Sequence, residues 1–160
     1  MTDAKTEADA PSRIPWPPLL LMGALGGSFV LGQVAPLPWP GTNDLIAKVI
    51  GRTIGVGGLV LMAWAVWTML RARTNIRPDR GADMLITHGP FRRFRNPIYL
   101  ADTMILLGFA EVTQNIWFGI AAVLFVPLVT WFAILPEEAH LRRRFGVEYE
   151  AYFERSRRWI

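Results

Sequence analysis

The sequence predicts an all-α fold: an integral membrane helical bundle of about four transmembrane helices, followed by an interfacial helix at the C-terminus. Three observations predict it. The 160 residues are 52% hydrophobic and include seven tryptophans, with a mean hydropathy of +0.27, more apolar than a soluble domain of this length usually is. The positive charge is segregated. Arg71, Arg73, Arg77, Arg80, Arg92, Arg93 and Arg95 fall in residues 71–97, and Arg142, Arg143, Arg144, Arg155, Arg157 and Arg158 in 136–160. Between and before these blocks lie nearly uncharged runs of membrane length, about 20 residues for a spanning helix.

Residues 1–15 are polar, carry two prolines and read as a disordered tail. The rest, 16–160, reads as one membrane domain. The first apolar segment is "PPLLLMGALGGSFVLGQVAPL", 17–37. The region before it is long, mixed in charge and proline-rich, unlike a signal peptide's short basic start, so this segment reads as a retained span. The second runs over about 46–70, densest in "IGVGGLVLMAWAVWTML", 54–70. Gly23/Gly27 and Gly51/Gly55 are each four apart, a spacing that lets helices approach closely, and read as packing within the bundle rather than as a dimer contact. The third segment, 97–112, is shorter and carries Asp102; Asn96-Pro97 starts it, with Asn as N-cap and Pro at the first helical position. The fourth is "IWFGIAAVLFVPLVTWFAIL", 116–135, and Pro136 then begins a further helix. Leu141, Phe145 and Tyr149 recur every four residues beside three arginines, the pattern of a helix lying on a membrane surface.

The basic blocks place loop 71–96 and the tail 136–160 in the cytoplasm, while the connectors 38–45 and 112–115 hold no Lys or Arg and face the other side. Four crossings satisfy both conditions and put the N-terminus inside as well. Lys48 and Arg52, at the outer end of the second helix, snorkel. Trp16, Trp39 and Trp117 fall near the interfaces. A basic chain raises nucleic acid as a partner, but arginines flanking membrane-length runs point to the bilayer instead. Cysteine is absent and there are two histidines, which excludes disulfides, thiolate metal sites and cysteine nucleophiles and leaves no metal constellation. The sequence assigns no oligomeric state.

Two polar clusters lie on the same cytoplasmic side, "THGPFRRFRNPIY" (87–99) and "PEEAHLRRRFGVEYEAYF" (136–153). Gly89-Pro90 marks a turn whose amides can receive a carboxylate or hydroxyl. Arg92, Arg93 and Arg95 also fit simple topology charges. Glu137 and Glu138 fit the first turn of a helix, where acids complement the dipole; a cationic partner explains them equally.

These clusters carry a resemblance. "LITHGPFRRFRNPIYLA" (85–101) resembles the T-x-G-x-Y…R-H-P-x-Y-x-G motif of isoprenylcysteine carboxyl methyltransferases. "EEAHLRRRFGVEYEAYFERSRRWI" (137–160) resembles their closing pattern of paired acids, Leu, Phe-Gly and Tyr-x-x-Tyr. The phosphatidylethanolamine N-methyltransferase branch, with Asn-Pro-x-Tyr and then paired glutamates, is similar too. This chain departs from the first motif at Phe91, Asn96 and Ala101, where Tyr, His and Gly are usual; the Asn form looks like the phospholipid branch and the Phe-Gly tail like the carboxyl branch.

The resemblance implies a methyltransferase that uses S-adenosylmethionine, with the cofactor-binding half at about 84–160, acting on a lipid-like acceptor (an amine headgroup or a carboxylate) at the cytoplasmic face. It implies Glu137 and Glu138 for the donor's ammonium or ribose, the amides about His88, Gly89 and Pro90 or the Arg95 side chain for its carboxylate, apolar residues near Leu135 and Leu100 over the adenine, and Pro97 as a further cofactor-binding residue. Arg95, Asn96, Tyr99 and Asp102 are the candidate catalytic residues. Tyr99 and Asp102 share a helix face, and Asp102 is about 9 Å along the helix from Asn96. An acid at that depth either pairs with Arg95 or snorkels, or takes a proton from an amine acceptor. No Rossmann glycine fingerprint is present. Two other classes fit parts of the sequence: a nicotinamide-dependent membrane reductase like the sterol reductases, and a non-enzymatic membrane assembly protein.

Overall fold

A computed structural model describes residues 14–40, 44–72 and 84–160. The expected disordered tail therefore lies almost wholly outside the described residues, as do Arg73, Arg77 and Arg80. Six α-helices account for most of what is described: α1 Trp16–Val34, α2 Leu45–Arg71, α3 Pro97–Thr113, α4 Ile116–Val129, α5 Leu135–Phe145 and α6 Val147–Arg155. A 3-10 turn, Gly89–Arg92, precedes α3, and a π-helical turn, Thr130–Ile134, joins α4 to α5.

Local chemistry sets the helix starts. Prolines occupy the first turn of α1, where a missing N–H costs nothing. The Asp44 carboxylate caps α2, accepting from the amides of Ile46 at 2.9 Å and Ala47 at 3.3 Å. α3 ends at Gln114, whose φ of 50° turns the chain sharply. Asn115 then caps α4 at the Trp117 amide, 3.1 Å, and its own amide group donates to the Ser28 carbonyl of α1, 2.9 Å.

α1 lies antiparallel to α4: Trp16 rests on Phe132 at one end, while Ser28 hydrogen-bonds the Trp117 carbonyl and Trp117 the Ala35 carbonyl near the other. α2 lies antiparallel to α3 and closer still. A Cβ on Gly55 would stand 2.8 Å from the Gly108 Cα, and one on Gly51 2.7 Å from the Glu111 Cβ. The expected packing of Gly51 and Gly55 is thus formed. That of Gly23 and Gly27 is not, since both face open space on an outward apolar face with Met22, Phe29 and Val30. Tyr99, Leu106 and Ala110 of α3 form the core with Phe118, Ala122, Phe125 and Val129 of α4.

α1, α2 and the continuous helix of 116–145 are long and apolar enough to cross a membrane. α3, with 17 residues, is shorter and is the most enclosed helix. The helix expected to begin at Pro136 is α5, which starts one residue earlier, at Leu135, and follows α4 without a break. Ile134 and Leu135 already hold helical angles, and the Leu135 amide reaches back five residues to the Thr130 carbonyl. This widened turn takes up the strain of a proline that lacks an N–H and crowds the preceding turn. Nor does one surface helix carry Leu141, Phe145 and Tyr149. Gly146, at φ 53° and ψ −122°, ends α5, and α6 folds back so that Arg142 bonds Glu150 at 3.0 Å.

Candidate active site

All the polar elements expected at the site gather at one end of the bundle: the start of α3, the loop before it, α5, and the tail beyond α6. Gly89 fixes the loop's entry. Its φ of 61° favours glycine, and a Cβ there would stand 2.8 Å from the Thr68 hydroxyl of α2. Pro90 is buried and its carbonyl accepts from the amides of Arg93 and Phe94. His88 is exposed.

From Phe94 the loop is extended and pairs in parallel with the tail at Arg157. The Arg95 amide donates to the Arg157 carbonyl, 2.7 Å, and the Arg157 amide to that of Arg93, 2.9 Å. The Tyr152 hydroxyl fastens α6 to the same loop through the Phe91 carbonyl, 2.7 Å. Burial pushes this hydroxyl up to about 12, so it stays protonated and able to donate. The contact uses the backbone of residue 91, which a Phe satisfies as well as a Tyr. The departure at Ala101 is met from the other side: Gly58 of α2 comes so near that a Cβ on it would stand 3.0 Å from the Ala101 carbonyl.

Arg95 is the hub. Its Nη1 donates to the carbonyls of Phe153 and Ser156, its Nε to Glu138, 3.3 Å, and its guanidinium stacks 4.0 Å over the Phe153 ring. Arg142 covers the same ring at 4.4 Å. Glu138, 5% exposed, accepts a second arginine in a two-point grip, from Arg158 Nε at 3.0 Å and Nη2 at 2.8 Å. That hydrogen bond to Glu138 raises the Arg158 pKa further. Asn96 stands at the cap position of α3, but its side chain does not cap the helix; it donates instead to the Arg158 carbonyl, 3.0 Å. Asn96, Arg95 and Glu138 therefore all engage the tail.

The remaining residues form a second group. The Tyr99 hydroxyl donates to Glu137 Oε2 at 3.4 Å, a long bond. Asp102, one turn along α3, is 5% exposed. The pairing of Asp102 with Arg95, one of the expected alternatives, is not formed, because Arg95 turns to Glu138 and the tail. Among the described residues the Asp102 carboxylate makes no hydrogen bond or ion pair. Pro97 is fully buried, and Leu100 is partly buried.

The sequence did not single out Arg158, Ser156 or Phe153 as partners of the motif residues, and gave Tyr149 a place in an apolar stripe and in the Tyr-x-x-Tyr pattern but no role of its own. The signal lay in the tail's composition: a buried Glu138 requires cations, and the tail supplies one 20 residues on.

The model of the phospholipid methyltransferase family matches residues 46–148, more than half of the chain. The chain is also 32% identical over 63 residues to an uncharacterized protein of Haemophilus influenzae, a match that covers 39% of this chain and all of that protein. No solved structure matches.

Proposed function

From the premise that this chain belongs to the phospholipid methyltransferase family, we propose that it transfers a methyl group from S-adenosylmethionine to the amine of a lipid-like acceptor at the cytoplasmic face. The observation that carries the choice of an amine is Asp102, a buried carboxylate that makes no hydrogen bond or ion pair among the described residues. A carboxylate acceptor would be repelled there and needs no base. An ammonium is attracted, and must shed a proton before its nitrogen can attack.

S-adenosylmethionine supplies a methyl on a sulfonium, whose positive charge is lost in the transfer. The chain's own task is to align the partners, exclude water and take one proton. Glu137, held by Tyr99, receives the donor's ammonium. The amides at His88 and Gly89, beside the buried Pro90, receive its carboxylate, because Arg95 is already engaged by the tail. Leu100 covers the adenine over the rigid start at Pro97. The proton of the acceptor goes to the Asp102 carboxylate. Glu138, Arg95 and Asn96 act by locking the tail across the site.

The same reading sets the topology. α3 is about 26 Å long at 1.5 Å per residue, close to a hydrocarbon core of about 30 Å. It runs antiparallel to α2 and completes four crossings, with both chain ends and the site in the cytoplasm.

The test is incubation of the purified chain with methyl-labelled donor and vesicles containing phosphatidylethanolamine, against vesicles containing free fatty acid. Label is expected on the amine lipid. Asp102→Asn is expected to keep donor affinity and slow the transfer about 10²-fold or more. Label on the carboxylate, or an unchanged rate in Asp102→Asn, contradicts the proposal.

A further inference from the structure

Tyr149 carries a group that the description so far leaves unused. It is 1% exposed, and its hydroxyl makes no hydrogen bond among the described residues. Buried hydroxyls are nearly always paired, and an exception calls for an explanation. Its neighbour on α6 sets the contrast: Tyr152, equally enclosed, bonds the Phe91 carbonyl. The Tyr149 ring is edge-on to Tyr152 at 6.1 Å and tilted against Phe153 at 6.2 Å, the ring that the Arg95 and Arg142 guanidinium groups both cover. The hydroxyl also feels the charges of Glu138, Arg95, Arg142 and Glu137.

A buried hydroxyl that feels two carboxylates and two guanidinium groups yet is bonded to none among the described residues has a hydrogen bond left for a ligand. The mixed charge selects the kind of group. Arg95 is already paired with Glu138 and Arg142 with Glu150, so the surroundings are close to balanced in charge and suit a zwitterion better than a lone cation or anion. A phenol both donates and accepts, so it can serve either end of an α-amino acid.

We propose that the Tyr149 hydroxyl is a ligand-binding group for the amino-acid end of the methyl donor. The inference rests on the donor reading above and adds to it a residue from α6, so that the folded-back tail touches the donor as well as closing over it.

The test uses two probes that share the adenosine and the sulfur: S-adenosylhomocysteine, which keeps the amino-acid end, and 5′-methylthioadenosine, which lacks it. Their affinities are measured by calorimetry on the detergent-purified full chain and on Tyr149→Phe, which keeps the ring and removes the oxygen. One hydrogen bond to a charged group corresponds to roughly a 10-fold change. Tyr149→Phe is expected to bind S-adenosylhomocysteine about 10-fold more weakly and methylthioadenosine unchanged. Equal affinities of both proteins for S-adenosylhomocysteine overturn the inference, and so does an equal loss for both probes, which marks a packing effect. If the unaltered chain binds neither probe, the donor reading itself fails, and this inference with it.

Discussion

Replacing Glu138 by Gln separates a residue that holds the site from one that touches the ligand. Gln keeps the volume and removes the charge. Glu138 is 5% exposed and receives hydrogen bonds from Arg95 and Arg158. Removing one partner of a buried ion pair costs about 3–5 kcal/mol, because the other charge is left without compensation. The lower end applies here. The Arg158 side chain is 36% exposed and can turn to water, whereas that of Arg95, at 8%, cannot. A loss of about 3 kcal/mol is a factor of roughly 10² in an equilibrium. It should fall on the pairing of loop and tail, read as hydrogen exchange of the Arg95 and Arg157 amides, which bond across that pair. Glu138→Gln is expected to speed their exchange about 10²-fold, with the α2 and α3 amides little changed. Exchange within about twofold of the unaltered chain would refute the reasoning and return Glu138 to direct contact with the donor.

Glu137→Gln should do the reverse: protection of loop and tail stays, while affinity for the donor falls about tenfold, the value of one charge-assisted hydrogen bond, as measured by calorimetry. Gly55→Ala should lower stability in a detergent melt by about 1–3 kcal/mol, since its Cβ meets the Gly108 backbone at 2.8 Å. Gly23→Ala, facing open space, should stay within about 0.5 kcal/mol. The chain has no cysteine, so single cysteines at the exposed positions Gln114 and Glu154 report topology. An impermeant thiol reagent on intact cells should label 114 and spare 154, and labelling of 154 would overturn four crossings.

Three of the four expected spans, α1, α2 and the helix of 116–145, were legible because a long apolar run is a property of neighbours in sequence. The start of α3 at Pro97 was legible for the same reason. The use of Asn96 was not: a cap is a local bond, and the side chain instead reaches a carbonyl 62 residues away. Glu137 and Glu138 read alike as adjacent acids, yet successive helical positions point about 100° apart. One meets Tyr99, the other two arginines. Pro136 was legible as a helix start to within one residue, since proline in a first turn is the cheaper local solution; the widened turn that joins this helix to α4 is a tertiary compromise that no short pattern announces. The stripe of Leu141, Phe145 and Tyr149 ignored Gly146, whose positive φ permits the fold-back.

That widened turn also sets the phase of everything after it. A π turn holds one residue more than the α-helical turn it replaces, so it rotates the following helix by about 100° relative to an unbroken one. Glu137 faces Tyr99 and Glu138 faces the arginines only at this angular setting. Pro136, by withholding an N–H, keeps the helix from relaxing into the regular winding. Residues 130–134 thus act as a fixed gear between the apolar cylinder of α4 and the polar end of the bundle. Their length is the quantity under constraint: trimming one residue would leave every side chain of the site present and aim both acids at the wrong neighbours.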